Sequence, residues 1–252
     1  MRNGTFNSQN GQTLVRDVNG TLFDGQHRLE AQVATGVTLT WVIVTVDDGE
    51  GAFKTLDNGA KRNVADYFPE EKNASLFGAI APFGYVLENS DVPLLSALQG
   101  KVDTETNVST EDGVDYGDEH LQAVRKATEY GRAMYQATGL KGNPSVYGKF
   151  AMLVSFVNDD DYLEEFVNDF SEDAPNSKTV VSARLKIANA YSRGKAHKPD
   201  AKWLLGMILD SYDHFKQSDD STELNKGTTK IKKYDKMLFE RRAELRGERE
   251  GE

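Results

Sequence analysis

The chain has 252 residues, 38% of them hydrophobic and 28% charged, with a formal net charge of −10. That length allows one sizeable core or two small ones. The absence of cysteine excludes disulfides, thiolate metal sites and cysteine nucleophiles, and it suits a reducing cytoplasm. No apolar run approaches the ~20 residues of a membrane-spanning helix. Met1-Arg2-Asn3-Gly4 lacks the apolar stretch of a signal peptide, so no membrane partner and a cytoplasmic location are expected. An acidic body argues against tight nucleic-acid binding through a broad basic face, while leaving room for a local phosphate pocket.

Residues 12–23 read as a β-hairpin, Gln12 to Val15 and Thr21 to Phe23 flanking Asp17-Val18-Asn19-Gly20, because Asn-Gly supplies the positive φ angles of a tight turn. From Gln26 to Thr35 the pattern turns helical, with Leu29, Val33 and Ala34 on one face and Gly36 placed to end it. Leu39 to Val46 is apolar and β-branched and predicts a central strand. Ala52 to Leu56 and Asn63 to Phe68 read as short helices, with Pro69 as a stop. Residues 1–70 thus form a small sheet domain, α+β in class, followed by a larger α-helical domain over 71–216. Helices are predicted near 74–88, 93–99, 119–138, 144–157, 159–170, 177–193 and 199–216. Between 100 and 119 acids outnumber the lone Lys101, which predicts a loop or disordered insert. Residues 217–252 read as a polar linker and a charged helical tail.

One stretch concentrates chemistry. Asp24-Gly25-Gln26-His27-Arg28 sits where a strand runs into a helix. A glycine there lets the backbone turn and approach a ligand, and the first N–H groups of a helix attract an anion. Arg28 can grip two phosphate oxygens, and His27 can donate a hydrogen bond or move a proton. Gln26 can orient a water or a base edge, and Asp24 can cap the helix, hold Arg28 or reach Mg²⁺ through phosphates. A purely structural account is also open, with Asp24 as a cap, Arg28 paired to Asp24 or Glu30, and His27 on the surface.

Asp24-Gly25-Gln26-His27-Arg28-Leu29-Glu30-Ala31 resembles the DGQHR signature of the ParB/sulfiredoxin-like superfamily. Phe53 to Arg62, followed by Ala65-Asp66, is similar to a second element of its phage and bacterial ParB-like (nuclease-domain) proteins. The resemblance covers residues 1 to about 70. It implies a sulfiredoxin-like fold that binds ATP or CTP with Mg²⁺, with Gly25, Gln26, His27 and Arg28 facing the phosphates and His27 and Asp24 closest to catalysis. It adds Asp57, Gly59, Lys61 and Arg62 as a second phosphate-binding turn. The cysteine of sulfiredoxins is replaced by Gln26, which removes that chemistry, and the helix-turn-helix module of ParB clamps is not identifiable. The family's elements ahead of the hairpin have no counterpart, so an upstream start or a shortened pocket is expected. The implied function is an NTPase or phosphotransferase in phage or mobile-element DNA metabolism in a bacterial host. Two alternatives stand beside it: a DNA-binding or nuclease protein, and a non-catalytic module that binds a protein partner through the helical domain.

Other polar groupings carry less. Asp159-Asp160-Asp161 with Glu164-Glu165 lacks the glycine turn of a calcium loop and reads as the acidic start of a helix. His120, His197 and His214 are isolated in sequence and read as surface residues.

Overall fold

A computed structural model describes residues 13–49, 63–192, 198–224 and 228–250. The chain is mixed α+β and mostly helical, a three-stranded sheet near the N-terminus being followed by helices. It divides into two compact units, 1–62 and 63–252.

In the first unit β1 (Leu14–Asp17) and β2 (Leu22–Asp24) form the antiparallel hairpin. The Asp17 carboxylate accepts the N–H groups of Asn19 and Thr21, and Gly20 takes φ +90°, as the Asn-Gly turn requires. Helix α1 (Gln26–Thr35) follows and ends on Gly36, whose N–H returns to the Gln32 carbonyl. Strand β3 (Ile43–Val46) runs parallel to β1, giving the sheet order β2-β1-β3. The expected central strand therefore lies at an edge among the described strands. The centre is β1, whose Leu14 and Val15 are buried, while Val42, Ile43 and Val44 are exposed. The expected apolar face of α1 is likewise not closed: the helix buries none of its residues, and Val33 is 84% exposed.

The second unit begins earlier than residue 71. A 3-10 turn over Val64–Tyr67, closed by a reciprocal capping box between Asn63 and Asp66, puts Val64 and Phe68 into the helical core. Helix α2 (Ala74–Asn89) runs on through Pro82. Helix α3 (Leu94–Leu98) is followed by α4 (Thr110–Glu119), which takes the second half of the loop expected over 100–119. Ser109 caps α4 on the Asp112 N–H. The buried face of α4 includes Gly113 and Gly117; a Cβ would strike Val64 and Pro82 at the first and Phe68 at the second. Helices α5 (Leu121–Ala137), α6 (Pro144–Phe156), α7 (Leu163–Ser171), α8 (Lys178–Ser192) and α9 (Ala201–Lys216) complete most of the core. Phe150 and Phe166 meet Tyr212 edge to face, and Phe166 meets Phe150 and Phe170 at a tilt, with ring centroids 5.2–5.7 Å apart.

The charged tail is an integral helix, α10 (Thr228–Glu250), and not a solvated appendage. It buries Ile231, Tyr234 and Leu238 in the core. Arg242, 4% exposed, donates to the carbonyls of Val86, Leu87 and Val92 at 2.8–3.0 Å, capping the end of α2. Burial pushes its pKa down, yet a guanidinium stays charged. The Asp235 carboxylate accepts the Leu94 N–H at 2.7 Å and starts α3, while Lys149 of α6 donates to the Leu98 carbonyl at its other end. Burial pushes the Lys149 ammonium down to about 8.

A second anchor joins α9 to α10. Asp213, 1% exposed, accepts from Lys230 at 2.9 Å and Lys233 at 2.7 Å. Asp159 accepts from Lys216 and from the Tyr234 hydroxyl. Burial pushes the Asp213 carboxyl up, but Lys233 and Lys230 outweigh it and hold it below the ordinary carboxylate range.

Two outcomes follow. Arg242→Met should lower stability by about 3 kcal/mol, because three buried carbonyls lose their donor; urea unfolding checks it. The folded pKa of Asp213 is depressed, so its contribution is present above the ordinary Asp value of about 3.9 and disappears as pH falls through the folded value. Thermal unfolding of the wild type should therefore lose stability below about pH 4, and Asp213→Asn should lower stability near neutrality and flatten that acid limb.

Candidate functional site

The strand–helix junction forms around Gly25. Its φ of +97° lies in the left-handed region, and a Cβ there would come 2.1 Å from Leu14 Cδ2. Glycine is thus demanded both by the turn and by the close packing of β1 beneath it. The Gly25 carbonyl accepts the N–H groups of Arg28 and Leu29, both at 3.0 Å, which opens α1. As the N-cap residue Gly25 brings no side-chain acceptor, so it caps none of the first-turn amides of α1.

Arg28 faces inward. One terminal nitrogen donates to Asp24 Oδ2 at 2.8 Å and the other to the Thr13 carbonyl at 2.9 Å. Both charged side chains are about one-fifth exposed. This pair ties α1 to β1 and β2, and it is the structural account of Arg28. Asp24 does not cap the helix. Its Oδ2 is engaged with Arg28, which does not favour a role in reaching Mg²⁺. The His27 side chain is 98% exposed, with Nδ1 3.5 Å from Glu30 Oε2, and Gln26 is exposed beside it. The structure thus exposes Gln26 and His27, buries Gly25 against Leu14, and turns Asp24 and Arg28 inward. Asp57, Gly59, Lys61 and Arg62 lie outside the described residues.

The acidic run after α6 is resolved into structural roles and surface. Asp159 holds Lys216 and Tyr234, while Asp161, Glu164 and Glu165 line an open groove of about 730 Å³ with Asp169 and Asp219. Asp169 itself accepts the N–H groups of Asn176 and Ser177. Among the described residues, no three His, Asp or Glu side chains are grouped as metal ligands. His214 stands between Asp210 and Asp219. No helix among them is long and apolar enough to cross a membrane.

Sequence reasoning missed one constellation in the helical unit. Glu88 of α2 and Tyr116, Glu119 and His120 at the end of α4 line one cavity. The only local signal was the Tyr116–His120 spacing of four, which stacks side chains on a helix.

Two substitutions test the junction. Gly25→Ala should destabilise the first unit by about 2–3 kcal/mol through the clash with Leu14 and the strained φ. Arg28→Lys keeps the charge but loses the fork that spans Asp24 and Thr13, at about 1–2 kcal/mol. Faster amide exchange over Leu14–Asp17 and Gln26–Thr35 is the readout, and protection equal to wild type would contradict both.

Comparison of the chain with protein-family models, with curated proteins and with solved structures found no match.

Proposed function

We propose that the first unit binds the polyphosphate of a nucleoside triphosphate, ATP or CTP with Mg²⁺, on the first turn of α1. The observation that carries this reading is the helix N-terminus at Gly25, which no side chain caps and beside which Gln26 and His27 are exposed. Amides at such a terminus, together with the positive end of the helix dipole, favour an anion. The DGQHR resemblance adds the identity of the ligand and the class of the protein, a ParB/sulfiredoxin-like NTPase or phosphotransferase of phage or mobile-element DNA metabolism. The roles within the motif are then divided. Gln26 and His27 contact the phosphates through backbone and side chain, and His27 is the group able to move a proton. Asp24 and Arg28 hold the turn in shape from below. Phosphoryl transfer needs mainly positioning and charge neutralisation, which Lys61 and Arg62 would extend. Bound Mg²⁺ would supply the rest of the charge on the phosphates. A net charge of −10 weighs against the DNA-binding or nuclease alternative.

A protein-interaction reading has one observation in its favour. β3 lies at the edge of the described sheet with Val42, Ile43 and Val44 exposed, and such an edge can accept another strand.

Calorimetric titration with Mg-ATP and Mg-CTP separates the two. His27→Ala and Gln26→Ala should weaken binding by about tenfold each, in line with losing a hydrogen bond to a charged group, with an unchanged Tm. Unaltered affinity in both variants would remove the phosphate site. No binding of either nucleotide by the wild type would favour interaction through the sheet edge.

A further inference from the structure

A cavity of about 260 Å³ opens between α2 and α4 in the helical unit. Its wall carries the carboxylates of Glu88, Asp112, Asp115 and Glu119 and the rings of Tyr85, Tyr116 and His120, and no lysine or arginine lines it. The His120 ring stacks on Tyr116 with centroids 4.2 Å apart. His120 Nε2 lies 3.5 Å from Glu88 Oε2 and 4.0 Å from Glu119 Oε2.

Carboxylates gathered on a surface are ordinary in an acidic protein. Tyr116 is not. It is 6% exposed, its ring end is packed against Gly84, and it lines the cavity. Burial, then the charges of Glu88 and Glu119, push its phenol up. That hydroxyl makes no hydrogen bond among the described residues. A tyrosine so enclosed normally finds a partner for its OH. Here the open side is the cavity.

The lining defines what fits. Acidic lining residues, with no lysine or arginine among them, favour positive charge. Aromatic faces attract an organic cation that has shed part of its water. The volume is below the roughly 300–1,000 Å³ of sites for drug-sized ligands, so a head group enters and not a large molecule. An ammonium brings three N–H donors, enough for two carboxylates and the Tyr116 oxygen together.

We propose that the cavity between α2 and α4 binds a primary alkylammonium group, held by Glu88 and Glu119 and seated against Tyr116 and His120. A free polyamine and the lysine side chain of a peptide present the same chemistry. The site is independent of the α1 junction.

The test titrates the full chain by calorimetry with spermidine, with putrescine and with a short end-capped peptide carrying one lysine. Saturable 1:1 binding of an amine or of the peptide is expected. Glu88→Gln should weaken it about tenfold and Tyr116→Phe about threefold or more, as loss of charged and neutral hydrogen bonds predicts. Tyr116→Phe keeps ring and volume, so its circular dichroism should match wild type, and it carries the test if Glu88→Gln disturbs folding. Binding of polyamine alone assigns a free ligand, and binding of the peptide assigns a basic side chain. Absence of saturable binding by every probe, or affinity unchanged in both variants, overturns the site.

Discussion

The helical unit depends on the Arg242 guanidinium. Near the end of α2, Val86 and Leu87 are buried, as is Val92 just beyond it, and their carbonyls need donors from within the protein. Arg242 reaches them from α10, with one nitrogen to each of three carbonyl groups. A shorter or non-planar cation could not distribute itself in that way. The same helix starts α3 through Asp235. The corner between α2 and α3 is therefore shaped by side chains from α10, and α2 in turn presents Glu88 to α4.

Charge plays two different parts in the two units. In the helical unit the buried Asp213 is neutralised by Lys230 and Lys233 reaching in from α10, which fixes how α9 and α10 meet. In the first unit Asp24 and Arg28 do similar work on a smaller scale, and the surface above them is left to Gln26 and His27. A motif that concentrates polar residues can thus split into a supporting layer and a presenting layer. Mutating the supporting arginine reports on shape as much as on ligand.

Local signals were legible and distant ones were not. Helix α1 and its stop at Gly36 could be read because a capping glycine and a repeating pattern act within a few residues. Helix α4 could not, since part of its packing face is Gly113 and Gly117, which contribute closeness and no apolar bulk. The strand at Ile43–Val46 was visible, but its place at an edge is a property of sheet order, which composition does not carry. In α10 the apolar positions Ile231, Tyr234 and Leu238 are interleaved with lysines, and Lys230, Lys233 and Arg242 reach inward by pairing. At the junction, the four-residue spacing of Asp24 and Arg28 suited both an internal pair and a phosphate grip, and only coordinates show which way the arginine turns.

The reach of α10 also sets an order of events in the cell. Arg242 and its most distant carbonyl partner are 156 residues apart in the chain. During synthesis, α2 through α9 emerge before the group that completes the end of α2 exists outside the ribosome. Contacts of such high sequence separation slow folding, and larger domains with late-closing cores spend time as exposed intermediates. The contacts that join α10 to α2 therefore stay unmade until the residues around Arg242 are released.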